Sequence, residues 1–325
     1  MKNEKFKFIG KNVIQYEINA LKKLKSSIGK SFDQAVKTIL NCKNGKVIIS
    51  GVGKSSIIAR KAASTFSSTG TPSFFLDAAN ASHGDMGVIS NDIVILISLS
   101  GSSNELNNII QFCSRNKNIK LIGITSNKKS MLYKNSDIKI LMPIVKEAGP
   151  SNIVPTSSTT MTMCLTDSIA IACMKYKNFD KLDFKKFHPS GSLGIKLKTV
   201  NDLMLTKNKI PFVSENTSMK NALKTLTKKG LGVLIIRNNK NLTKGILTDG
   251  DLKRLNQKFD NFQNLKVKFL MKKKPISVDK NILASESLFI MNKNKITSLC
   301  VHNGKKKNKT IGIIHIHTLL NANIS

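Results

Sequence analysis

The stretch Ser98-Leu99-Ser100-Gly101-Ser102-Ser103-Asn104-Glu105 has the residue types to hold a charged ligand. It follows the apolar run Asp92–Ile97, which reads as a buried parallel strand. It precedes Leu106–Phe112, whose apolar positions recur at three and four, as on a helix. Ser100, Gly101, Ser102 and Ser103 therefore fall in a strand-to-helix turn, just after Ser98. Backbone N–H groups lack partners there, and the helix dipole favours an anion such as phosphate. The plain alternative is a serine-capped helix.

Gly51-Val52-Gly53-Lys54-Ser55 is a second strand-to-helix turn. It matches neither GxxxxGK[ST] nor GxGxxG, so neither a nucleotide triphosphatase nor a dinucleotide enzyme is supported. What remains is Lys54 at a strand's carboxyl end, able to neutralise a phosphate or a developing enediolate oxygen. A merely solvated lysine is the competing reading. Pro155-Thr156-Ser157-Ser158-Thr159-Thr160 opens a long helix with a run of hydroxyls, just after Lys146-Glu147-Ala148. His83-Gly84-Asp85 and His188-Pro189-Ser190-Gly191 sit in glycine-flanked loops, where a histidine is either exposed or functional.

The elements that must position these residues alternate. Strands are expected at 46–50, 73–76, 92–97, 119–124 and 138–142, with helices between, a pattern that means a parallel sheet wrapped by helices. Two helices precede it, one striped by Ile14, Ile18 and Leu21, the other by Phe32, Val36, Ile39 and Leu40. From Val200 onward an internal repeat of roughly 60 residues appears. Asn201–Met204 is echoed by Lys268–Met271, Val233–Ile236 by Ser298–Val301, and Gly245-Ile246-Leu247 by Gly312-Ile313-Ile314. These features divide the chain into residues 1–199, 200–259 and 265–325.

The 325 residues carry a net charge of +34, nearly all of it lysine, with arginine only at positions 60, 115, 237 and 254. Charge spread so evenly does not mark a specific nucleic-acid binder. Apolar runs fall far short of the ~20 residues that span a membrane. Five scattered cysteines without a CxxC pair fit reduced thiols in a cytoplasm.

Taken together, Gly51–Lys54, Thr69–Phe75, His83-Gly84-Asp85, Ser98–Glu105, Lys146-Glu147-Ala148, Pro155–Thr160 and His188–Gly194 resemble the D-arabinose-5-phosphate isomerases. Those are sugar isomerase (SIS) domain proteins followed by a CBS pair. The resemblance covers nearly the whole chain. It implies a five-stranded parallel α/β sheet followed by a tandem α+β CBS pair. It also implies interconversion of D-ribulose 5-phosphate and D-arabinose 5-phosphate, feeding synthesis of Kdo for lipopolysaccharide. By the same resemblance Lys54, Glu105, Glu147 and His188 match catalytic positions. Gly70, Thr71 and His83 match substrate contacts, joined by Ser98, Ser100, Ser103, Thr156, Ser157 and Ser158. Glu147 is taken as the base, Glu105 being the competing choice, on the expectation that partial burial raises a carboxyl pKa.

No metal or organic cofactor is required for that chemistry. Asp77 stands where some relatives have a zinc-binding histidine, and Ser102 and Ser190 also depart from the family pattern. Gly245–Asp251 fits the GxxTxxD motif of CBS domains, so an adenine-nucleotide effector could meet Thr248 and Asp251; the second repeat has lost both polar positions. A homo-oligomer, taken as a tetramer, is expected. The competing readings are a sugar-phosphate sensor and an isomerase of a related sugar phosphate.

Overall fold

The computed structural model describes residues 6–187, 191–259 and 261–324. The chain divides into two compact units, Met1–Phe187 and His188–Ser325.

In the first unit, α1 (Phe6–Ser27) and α2 (Lys30–Asn41) lead into β1 (Val47–Gly51), α3 (Lys54–Ser68), β2 (Ser73–Phe75) and α4 (Ala78–Ala81). Then come β3 (Ile93–Ile97), α5 (Asn104–Arg115), β4 (Lys120–Thr125), α6 (Met131–Asn135), β5 (Ile138–Leu141), α7 (Ser157–Tyr176) and α8 (Lys181–Phe187). All strand pairs are parallel, in the order β2-β1-β3-β4-β5. Helices cover both faces, which is why β1 and β3 are apolar runs rather than alternating ones. Ile49, Ile95 and Ile124 pack under helices including α3 and α7. Ile48, Leu96 and Leu121 pack under α4 and α5.

The expected stripe on α1 is only partly inside. Ala20 and Leu24 are buried, whereas Ile14 and Ile18 are 59% and 40% exposed. Small Ala20 is what lets α1 lie close to its neighbours, and the Ile14 side of the helix is left largely uncovered by the described residues of this unit.

The second unit begins with α9 (Gly191–Lys196), α10 (Val200–Leu203) and β6 (Leu205–Thr206). Its first repeat continues with β7 (Phe212–Ser214), α11 (Met219–Lys229), β8 (Val233–Arg237), β9 (Thr243–Thr248) and α12 (Asp249–Asn256). The second holds β10 (Lys272–Lys273), β11 (Ser277–Asp279), α13 (Ala284–Asn294), β12 (Ser298–His302), β13 (Gly312–His315) and α14 (Ile316–Asn321). The two sheets run β10-β9-β8-β7 and β11-β12-β13-β6. The sequence repeat extends to the backbone: Lys207 and Lys274 both take positive φ, 50° and 55°. Residues 191–199, grouped with the first domain by sequence, pack with this unit. Ile195 lies against the second-repeat core, and Lys198 O accepts from Ala284 N at 2.8 Å.

Candidate active site

Strand order places the site. β1 and β3 are neighbours whose following helices, α3 and α5, leave toward opposite faces, opening a crevice beyond their carboxyl ends. A cavity of about 230 Å³ lies there, lined by Lys54, Ser55, Leu99, Pro155, Ser158 and Thr159 among others. Ser55 and Thr159 were not singled out by sequence. Their signal was present, since Ser55 follows Lys54 and Thr159 shares a helix face with Thr162; Pro155, expected in the first turn, instead lies before the N-cap Thr156.

Lys54 is the first residue of α3, after Gly53 at φ 59°. The left-handed backbone suits glycine and turns the chain sharply from β1 into the helix. A cation at a helix N-terminus opposes the dipole.

Around the serine turn, Ser98 Oγ lies 3.1 Å from Ser103 Oγ and accepts from Gly101 N at 3.1 Å. Gly101 has φ 67°, and a side chain there would strike Ser130. Ser98 is buried and shapes the turn, whereas Ser100 is exposed. Among the described residues no side chain caps α5. Its N-terminal amides thus remain available to an anion. Glu105, in the first turn of α5, is exposed and does not line the cavity.

Glu147 behaves differently from the expectation of a raised carboxyl. Its Oε2 accepts from Thr156 N at 2.7 Å, Thr156 Oγ1 at 3.1 Å and Ser158 N at 3.2 Å. The carboxylate therefore closes the N-terminus of α7. Burial alone would raise it, but hydrogen bonds from Ser158 and Thr156 outweigh burial and hold Glu147 below the ordinary carboxylate value. The bonds from Thr156 N, Thr156 Oγ1 and Ser158 N converge on Oε2, and the Ser158 side chain also donates to the carboxylate.

The remaining residues are placed as follows. Thr156 spends its hydroxyl on Glu147, Ser158 lines the cavity, and the Ser157 hydroxyl is buried without a partner among the described residues. His83 is exposed beyond α4; its neighbour Ser82 accepts from Asn108 of α5 at 2.9 Å, which sets that loop beside α5. Asp77 caps α4 through Ala79 N and Asn80 N. His188 lies outside the described residues.

Gly70 and Thr71 are not at this chain's crevice. They precede β2, so in a parallel sheet they fall at the amino edge, where Val47 N donates to Pro72 O. There Lys177 Nζ donates to Gly70 O at 3.0 Å and Thr71 Oγ1 at 2.9 Å, and Thr71 is buried.

In the second unit, Thr248 and Asp251 form the capping box of α12. Asp251 Oδ2 accepts from Thr248 N and Oγ1, and Oδ1 pairs with Arg254 at 2.6 Å and Lys272 at 2.9 Å. Burial would raise its carboxyl, but Lys272, Thr248 and Arg254 depress it strongly. Both residues expected to meet a nucleotide are thus occupied by protein groups.

The SIS domain model matches residues 39–172, and the CBS domain model matches 200–257 and 267–325. The arabinose 5-phosphate isomerase KdsD of Yersinia pestis is 40% identical over 321 residues, covering 98% of this chain and 96% of that protein. The chain belongs to the arabinose 5-phosphate isomerase family. The KdsD of Francisella tularensis is 41% identical, covering 94% of this chain and 93% of that protein. Among solved structures, an E. coli CFT073 protein in complex with arabinose 5-phosphate matches with TM-score 0.55 and 36% identity, over 58% of this chain and 100% of that one. A putative sugar-phosphate isomerase from Listeria monocytogenes matches with TM-score 0.56 and 32% identity over the same shares. The family assignment agrees with the fold read from the sequence, an SIS sheet followed by a CBS pair. No helix among the described residues is long and apolar enough to cross a membrane.

Proposed function

We propose that this chain interconverts D-ribulose 5-phosphate and D-arabinose 5-phosphate through an enediol, supplying Kdo synthesis. One observation carries the reading. The Lys54 ammonium lines the same crevice as Ser158, whose N–H is held by Glu147. A phosphate on the uncapped α5 end and the Ser98–Ser103 turn leaves the sugar's carbonyl end directed at that crevice. The Glu147 carboxylate takes the proton from C1 of the ketose. The electron pair becomes the C1–C2 double bond, and the charge collects on O2 beside Lys54. Transfer of the O1 proton to O2 and return of the carbon-bound proton from Glu147 to C2, with the C1–O1 bond becoming the carbonyl, gives the aldose. Because Glu147 is a lowered, weak base that stays ionised at neutral pH, Lys54 must carry more of the barrier. Ring opening is assigned to His188 or His83 by intrinsic pKa. Glu105, exposed and outside the cavity lining, is the competing choice of base, and Gly70 and Thr71 would act from a neighbouring protomer.

The catalytic part is assigned to the first unit together with His188 and the CBS repeats to 200–259 and 265–325, residues 191–199 of the expected 1–199 domain packing with the second unit. A cytoplasmic homotetramer is part of the proposal. Five free cysteines fit a reducing compartment, and exposed Phe6, Ile14, Ile144 and Ile153 support self-association. An adenine nucleotide acting through Thr248 and Asp251 would have to replace the Arg254 and Lys272 contacts of Asp251. The test is incubation with ribulose 5-phosphate and analysis of the pentose. Arabinose 5-phosphate is expected; a sugar bound but unchanged would make the chain a sensor instead.

A further inference from the structure

The CBS unit contains a cavity of about 440 Å³ that belongs neither to the crevice nor to the Thr248–Asp251 motif. It opens at the start of β9, the end away from Thr248. Lys244, Lys273, Lys274 and Lys307 line it, with no carboxylate among the lining residues. On so lysine-rich a chain, ammonium groups alone would mean little.

The argument rests on where the pseudo-twofold symmetry of the repeats breaks. Thr243 and Thr310, sixty-seven positions apart, are equivalent and their hydroxyls lie 2.7 Å apart. On one side of that pair the shared inter-sheet cluster is filled by Ile235 and Phe212, with the Arg237 guanidinium 4.5 Å over the Phe212 ring. On the other side the equivalent positions are Cys300 and Ser277, both smaller, and both line the cavity. The space that a phenyl ring occupies in one repeat is open in the other. Charge diverges at the same place, since Lys244 and Lys273 stand where the other half has Ile311 and Thr206. Void and unneutralised cations thus coincide, and a concave site of one charge sign concentrates counter-ions.

We infer that this cavity binds a small organic phosphate, held by Lys244, Lys273 and Lys274 with the threonine hydroxyls, its carbon part resting on Pro275 and Cys300. The volume lies within the ordinary range of ligand pockets, about 300–1,000 Å³.

The probe is inorganic pyrophosphate, titrated calorimetrically into the full chain at about 0.15 M salt, where long-range surface attraction is screened. Ser277→Phe copies the other repeat and plugs the cavity without altering net charge. It should weaken one class of sites at least tenfold, while pyrophosphate held in the Lys54 crevice persists. Lys305→Met, which removes one charge from the exposed loop outside the cavity, should change nothing. If Ser277→Phe fails to fold by circular dichroism, the double variant Lys244→Met/Lys273→Met decides, with the same tenfold loss expected. Equal binding by wild type and the plugged or double variant, or no binding by wild type beyond the crevice, would overturn the inference.

Discussion

The N–H and the Oγ1 of Thr156 both donate to one oxygen of Glu147, at 2.7 and 3.1 Å. The carboxylate that closes α7 is thereby oriented. Structural support and proposed proton transfer reside in a single side chain.

Glu147→Gln keeps an oxygen for the Thr156 and Ser158 donors but removes the base. The turnover number should fall by about 10²–10⁴-fold, the usual contribution of a positioned base, while sugar-phosphate affinity stays within a few-fold. Steady-state kinetics beside calorimetric binding check this; wild-type turnover would remove Glu147 from the chemistry.

Thr156→Val deletes one donor and spares the backbone bond. The Glu147 carboxyl should rise toward its ordinary value. A base must be ionised, so the acid limb of the pH–rate profile should move to higher pH. Stability follows the same sign. A depressed carboxyl contributes stability above its unfolded pKa and loses it as pH falls through the folded one. The stability gap between wild type and Thr156→Val should therefore narrow on acidification, as thermal melts across acid pH would record.

Lys54→Met should act in opposite directions on activity and stability. Losing the ammonium beside the developing oxyanion should cost about 10²–10³-fold in turnover. Removing a cation from the start of α3 should stabilise the fold by about 0.3–1 kcal/mol. Kinetics and urea titration of the same preparation read both; a destabilised variant would mean that Lys54 is structural.

Asp251→Asn should destabilise the CBS unit by about 2 kcal/mol, the scale of hydrogen bonds to a charged group, since Arg254 and Lys272 are themselves largely exposed. As its carboxyl is depressed, the wild-type advantage should be full at neutral pH and decline as pH falls through the acid range. Urea midpoints at two pH values test the sign.

Much of this was legible from residue types. Asp92–Ile97 could only be a strand covered on both faces, and the Ser98–Ser103 turn followed from glycine and hydroxyls between a strand and a helix. The repeat was visible through Gly245 and Gly312, each pressed against a methionine, Met271 and Met204, from the other repeat's start. Glu147 was legible as a candidate but not its environment. Its partners Thr156 and Ser158 come from across a loop, and only folded geometry decides whether burial or hydrogen bonding prevails. Gly70 and Thr71 matched a family pattern, yet strand direction places whatever precedes β2 at the far edge. Ile14 and Ile18 had helical spacing, but spacing does not say what covers a face.

The short strands β6 and β10 are exchanged: β6 opens the first repeat yet pairs with β13, while β10 opens the second and pairs with β9. During synthesis the leading repeat must wait for Lys272–Lys273 before its edge is closed, and Leu205–Thr206 emerges long before β13 exists to receive it. Neither half can therefore be cut out as a self-sufficient piece, and the pair is expected to mature, and to be lost by proteolysis, as one.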